Sequence, residues 1–304
     1  MSSDGNISSI DLNEAMANFQ STLAQTYPTL DVEAQTLEDM QLALNQHDAF
    51  FRLAIESAPA GTPATIWFED QFATAIDEFS DLMQAKTAFA APIWQKTLNA
   101  CLFTSLVGLR LRFNCVPDLS FGDLHIETND DHRVSKISIA ANTPIYALTA
   151  LPSVANATQL SCHHELDRKL AQVIKRLGEA MQPHFKSQKV AAKLFWGNAL
   201  YSCGLAYSKL FNQPINTLST KANLIVQNQW FQSLSEQIHP GGHALNEIKK
   251  VEFKSFQKWF VRRETCCLKY KIDGKAKCTT CNLIEPHTQI GLVETALKQA
   301  ISQI

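Results

Sequence analysis

The sequence predicts an α+β protein, mostly helical, with a small antiparallel β-sheet and a C-terminal arm. Three observations predict it. Long stretches repeat apolar residues three and four apart, whereas residues 109–140 switch to alternation. The end of the chain then gathers four cysteines as Cys266, Cys267, Cys278 and Cys281. Two units are expected: residues 1–160, a helical and β-meander lobe, and residues 161–304, a helical lobe carrying the cysteine motif.

In order, residues 1–30 are polar, with a short helix expected over 12–24. The spacing predicts a helix over 32–56, with Leu37, Met40, Leu44, Phe51 and Leu53 near one face and Pro59 and Gly61 beyond its end. A second, over 67–83, buries Phe72, Ile76 and Phe79 and turns its acids outward. Pro92 opens a third, running toward Leu106.

Leu109, Leu111, Phe113 and Cys115 alternate with Arg110, Arg112 and Asn114, which reads as a half-buried strand. Leu124 and Ile126, the turn at 128–132 and the run 134–140 read as an antiparallel pair. Asp130 and Asp131 are explained by turn chemistry.

Leu166, Leu170, Val173, Ile174, Leu177 and Met181 form one stripe of a helix that starts at Ser161 or Cys162 and that Pro183 stops. His163 and His164 diverge on such a helix and make a poor metal pair. Ser187 caps the next helix, which closes before Pro214. Its Gly197 and Gly204 permit close approach of a backbone or ligand, or simply tight helix packing.

Residues 223–231 read as a short strand. His239-Pro-Gly-Gly-His243 is a loop, with His239 and His243 as candidate pocket wall. A helix over 244–263 then delivers the chain to the first cysteine pair, and a final helix follows Pro286. No internal repeat or low-complexity stretch occurs.

Hydrophobic residues make up 45% and charged residues 18%, a globular rather than disordered balance. The start lacks a secretory pattern, and no apolar run approaches the roughly 20 residues of a spanning helix; a cytoplasmic protein without a transmembrane segment is expected. Cys101, Cys115, Cys162 and Cys203 are scattered and read as small hydrophobes. The net charge of −2 hides a polarity. Residues 1–85 carry fourteen acids against Arg52 alone, and 249–277 carry ten Lys or Arg against three acids.

The four clustered cysteines stand as C-C-x10-C-x2-C, with Asp273-Gly274 able to turn the intervening arm back on itself. Four such thiolates hold either a tetrahedral zinc or an iron–sulfur cluster. Zinc sites usually space each pair by two to four residues, so the adjacent pair departs from that habit and suits a larger centre. Spacing leaves both open.

The frame Arg262-Arg263-x-x-Cys-Cys-Leu-x-Tyr followed by Cys-x-x-Cys resembles the signature of the FhuF-like ferric-siderophore reductases. The likeness is sharp over 258–283 and looser over 194–207, around Trp-Gly-Asn, and this looser match makes Trp196 and Asn198 pocket candidates. It implies that Cys266, Cys267, Cys278 and Cys281 bind a [2Fe-2S] cluster, making the end a cluster-binding arm. The implied activity is cytoplasmic one-electron reduction of siderophore-bound Fe(III) to Fe(II), on a hydroxamate-type siderophore. The donor would be a ferredoxin or a flavoprotein reductase, and peripheral association with the inner membrane is compatible.

Arg262, Arg263, Lys269, Lys271, Lys275 and Lys277 are candidates for tuning the cluster or docking a partner. Cations near a cluster, and amides on its sulfurs, raise its potential. A solvated basic face is the plainer role of any one lysine. No G-x-G-x-x-G follows a strand, so the electrons come from elsewhere.

The basic stretch suits anionic chelates, against the hydroxamate expectation; an acidic 1–85 border would favour cations. Two other readings are a siderophore-binding or assembly domain and a nucleic-acid-binding module, each with a structural four-cysteine zinc site. Aromatics at core spacing and a pI near 6.5 argue against nucleic acid.

Overall fold

The structure is a computed structural model and describes residues 36–148, 156–211, 221–253 and 256–302. It is α+β, as the sequence predicts. Helix α1 (Leu37–His47) begins at a reciprocal cap, in which Thr36 and Asp39 each accept the other's backbone N–H at 3.1 and 3.0 Å. Strands β1 (Leu53–Glu56) and β2 (Thr62–Pro63) lead to helices α2 (Ala64–Asp70) and α3 (Phe72–Leu82).

Helix α4 (Thr87–Phe113) is the axis of the molecule. Every residue from Leu98 to Arg112 is buried, so it has no polar stripe and behaves as a core helix. Asn114, left-handed at φ 53°, ends it.

Strands β3 (Cys115–Pro117), β4 (His125–Thr128), β5 (Val134–Ala140), β6 (Ile145–Ala147) and β7 (Ala157–Gln159) build two small sheets, ordered β1-β5-β4-β2 and β3-β6-β7. The expected β4/β5 antiparallel pair is present, with Ile126 opposite Ile137. Parallel β1/β5 and β6/β7 pairs make both sheets mixed.

Helices α5 (His163–Ser187), α6 (Ala192–Phe211) and α7 (Lys221–Ile238) follow. The antiparallel hairpin β8 (Asn246–Phe253) and β9 (Phe256–Arg263) comes next, then helix α8 (Pro286–Ile301). One apolar core runs from Leu37 to Trp259, and Val251, Phe260, Val293 and Leu297 form a second beneath α8.

Several expectations are corrected. The helix expected over 32–56 ends at His47, and Leu53 belongs to a strand; residues 32–35, like the helix expected over 12–24, lie outside the described residues. Residues 109–113 are the last turns of α4 rather than a strand. There Arg110 and Arg112 mimic solvent-facing positions of an alternating strand yet are buried, Arg110 against Asp167.

Pro183 lies inside α5. The lost N–H bond is offset by Phe185 two residues on, buried between Phe72 and Phe195. Ser187 ends α5 and caps nothing after it; its hydroxyl donates to the His184 carbonyl.

Residues 223–231 are helical, and Trp230, Phe231, Leu234 and Ile238 form the buried stripe of α7. Residues 246–263 are a hairpin instead of a helix. Ile248 and Trp259 face the main core while Val251 and Phe260 face α8, so the buried face changes side along β8 and the period of two is lost.

Candidate metal centre

Strand β9 ends at Arg263 and delivers the cysteine pair against α6 and α4. The fit depends on Gly197 of α6, where a Cβ would stand 2.1 Å from Thr265 Oγ1. Beside it, Asn246 donates to the Gly197 carbonyl at 3.0 Å, pinning the start of β8 to the same helix.

Asn198 donates to Gln95 Oε1 at 2.9 Å and to the Pro92 carbonyl at 3.2 Å, and its own Oδ1 accepts from Arg263 Nη2. Arg263 is fully buried, with its guanidinium 4.7 Å from the centre of the Tyr201 ring. Helices α4 and α6 thus hold this cation immediately before the cysteines.

After the pair, Leu268 turns into the left-handed region at φ 60°. Such a conformation costs a leucine about 1 kcal/mol, and here it aims amides at sulfur. Leu268 N–H donates to Cys266 Sγ at 3.3 Å, and Lys269 N–H donates to Cys267. Gly274, at φ 71°, turns the arm back as Asp273-Gly274 led us to expect. Cys281 N–H closes on the Cys278 carbonyl at 2.9 Å, and Gln289 of α8 donates to the Cys281 carbonyl.

The four thiols meet as two facing pairs, Cys267 with Cys278 and Cys266 with Cys281. Cys267 and Cys281 are buried, Cys266 and Cys278 half-buried. Cys266 also lies close to Cys267, so the four thiols are gathered at one place. Four thiolates so gathered are a donor set for a zinc ion or an iron–sulfur cluster.

The Cys278 S–H donates to Cys267, and this bond, helped by the charges of Lys96 and Arg263, holds the Cys267 thiol well below its usual range. Holding that proton raises Cys278; burial raises Cys266. An anionic cluster fits this surround in one further respect. Arg263 Nε and Nη1 are buried donors without a protein acceptor, on a side chain whose charge acts on Cys267 and Cys278.

A cavity of about 510 Å³ lies alongside, lined in part by Lys269 and Lys275 of the arm. Its other basic residues are Arg52, Lys96 and Arg133, and Phe50 and Tyr201 supply aromatic faces. The expected pocket residues are placed differently. Asn198 joins the centre through Arg263, whereas Trp196 stacks on His239 at 4.9 Å and His243 contacts Glu236 at 2.5 Å, all three outside this lining.

Arg262 pairs with Glu264, and Lys271 and Lys277 are exposed. Lys96, Arg133 and Tyr201 were missed by sequence reasoning. Lys96 carried a signal: it is the sole charge between Thr87 and Leu109.

No curated protein matches this chain. Among the described residues, no helix is long and apolar enough to cross a membrane. Residues 263–281 match the family model of the FhuF 2Fe-2S C-terminal domain, and the cofactor of this iron–sulfur protein is accordingly a [2Fe-2S] cluster.

Proposed function

We propose that this protein is a cytoplasmic ferric-siderophore reductase that delivers one electron to chelated Fe(III), so that iron leaves as the more weakly held Fe(II). The observation that carries the reading is the shared wall between cavity and metal centre. The arm joining Cys267 to Cys278 supplies both Lys269 and Lys275 to the cavity.

Cys266, Cys267, Cys278 and Cys281 are the ligands in this reading. When bound, a [2Fe-2S] cluster supplies one-electron transfer. The chain's own residues set the conditions. Leu268 and Lys269 amides and the orphan donors of Arg263 stabilise added negative charge on sulfur, and Lys96 adds its field.

The family match supports a siderophore substrate, and the resemblance directs attention to hydroxamates. The donor is a ferredoxin or flavoprotein reductase. Among the basic residues, Lys249, Lys250 and Arg262 are paired with Glu247, Glu252 and Glu264, which leaves the exposed Lys271 and Lys277 as the docking candidates. Nucleic-acid binding finds less support, since Trp259 and Phe260 are packed in the interior.

The test is an absorption spectrum of protein purified without oxygen, with iron and zinc quantified. About two irons per chain, a red-brown colour bleached by dithionite and its return on adding a ferric siderophore are expected. A colourless, zinc-bearing protein that resists cluster reconstitution would remove the reading. Serine at any of the four positions should abolish or alter the spectrum, and serine at Cys203 should not.

A further inference from the structure

Residues 36–85 are strongly acidic, yet among the described residues they contribute to the lining of the cavity beside the metal centre none of their nine acids but Arg52, their single base. Lys96 and Arg133 approach from α4 and the β4–β5 turn, and Lys269 and Lys275 from the cysteine arm. Among the described residues, no Asp or Glu lines the cavity. Among the described residues, none of these five cations is paired with a carboxylate, and Arg133 Nε is buried without a hydrogen-bond partner. At the rim by Phe50, Lys209 is paired with Asp48 at 3.2 Å and cancels its own charge.

Five unpaired cations in one concavity repel each other, and an anionic occupant relieves that repulsion. The charge of Lys96, with that of Arg263, acts on Cys267 and Cys278. Arg52, Arg133, Lys269 and Lys275 remain for the ligand, Arg133 with its guanidinium 5.2 Å from the centre of the Phe79 ring. A volume of about 510 Å³ lies within the ordinary range for small-molecule sites.

We propose that this cavity is the chelate subsite and that it selects net-anionic, oxygen-donor ferric chelates, with catecholate or carboxylate groups, over neutral or cationic tris-hydroxamate complexes. The inference rests on the reductase reading and departs from the hydroxamate class that the resemblance implies. Anionic donor groups left uncompensated at the edge of the chelate meet Arg52, Arg133, Lys269 and Lys275, and the iron is presented to the side where the cysteine arm forms the wall.

Gallium(III) replaces iron in such chelates without accepting an electron, which separates binding from reduction. Titrating the holoprotein with a gallium tris-catecholate and a gallium tris-hydroxamate, followed by calorimetry, should give the catecholate at least about tenfold tighter binding at low salt, shrinking as salt screens the cavity. Arg52→Gln with Lys275→Gln, both exposed positions, should weaken the catecholate complex by about tenfold and leave the hydroxamate unchanged. The charge-conserving pair Arg52→Lys and Lys275→Arg should restore it.

Equal or tighter hydroxamate binding overturns the proposal, as does an unchanged preference in the Gln variant. The ferric forms, offered to dithionite-reduced protein, separate the two readings. Catecholate-selective gallium binding without reoxidation by any ferric chelate keeps the subsite and removes the reductase; reoxidation by hydroxamates alone keeps the reductase and removes the anionic selection.

Discussion

Arg263 is a full charge in the interior, and burying one is costly unless it is met. Asn198 meets one nitrogen and the Tyr201 face meets the plane, but Nε and Nη1 have no acceptor among the protein atoms. The charge of Arg263 acts on Cys267 and Cys278, which makes the anionic centre a natural acceptor for them. In the proposed reductase Arg263 is a positioning and tuning residue, which orders the approach to Cys266 and offsets negative charge that grows on reduction. Arg263→Gln should lower the cluster's reduction potential by on the order of 59 mV, a tenfold change in a one-electron equilibrium. Arg263→Lys should recover part of the shift. Redox titration monitored by absorbance reads it, and a potential unmoved in the Gln variant would leave Arg263 a packing residue only.

Single residues also show what was legible in the sequence. The cysteine quartet, the arm turn at Gly274 and the amides on sulfur could be read directly, because they are local in sequence. Trp-Gly-Asn could be singled out but not understood. Gly197 is small because Thr265, far along the chain, fills the space, and Asn198 is polar because Arg263 needs an acceptor.

At the scale of elements, errors gathered where burial is not confined to one face. Helix α4 is enclosed on all faces from Leu98 to Arg112 and loses its polar stripe, and β8 changes its buried face midway, from Ile248 toward the main core to Val251 toward α8. The amphipathic α5 was read well apart from its end. Helix α4 carries Arg110 into contact with α5, where Asp167 binds its Nε at 2.6 Å and also accepts from Trp230 of α7 at 2.7 Å. One carboxylate thereby joins three helices. Asp167→Ala strands the buried Arg110 charge and the indole donor together, and should cost roughly 3–5 kcal/mol of stability. Asp167→Asn, which still accepts a hydrogen bond, should cost less. Denaturant unfolding gives both values, and a loss below about 1 kcal/mol for Ala would show that water reaches Arg110.

Across the whole molecule, acid sensitivity follows from where the histidines lie. His47, His163, His184 and His239 all have pKa values held below 6.5, in each case chiefly by burial. At His163 the neighbouring Arg110 charge adds to the effect, because Nδ1 lies 3.2 Å from Arg110 Nη2 and must stay unprotonated to accept from it. The unfolded chain takes up these protons first as pH falls through 6.5, so it binds more protons than the native state there. The stability these groups contribute is present above pH 6.5 and is lost as the medium acidifies below it. The thermal midpoint, followed by circular dichroism, should be level above about pH 7 and fall between roughly pH 6.5 and 5. His163→Gln keeps an acceptor for Arg110 and removes the titration, so its midpoint should fall less steeply over the same interval. An identical slope in this variant would place the acid sensitivity elsewhere, in the remaining histidines or in protonation of the cysteine centre, and visible absorbance recorded alongside would distinguish these two by whether colour is lost before the fold.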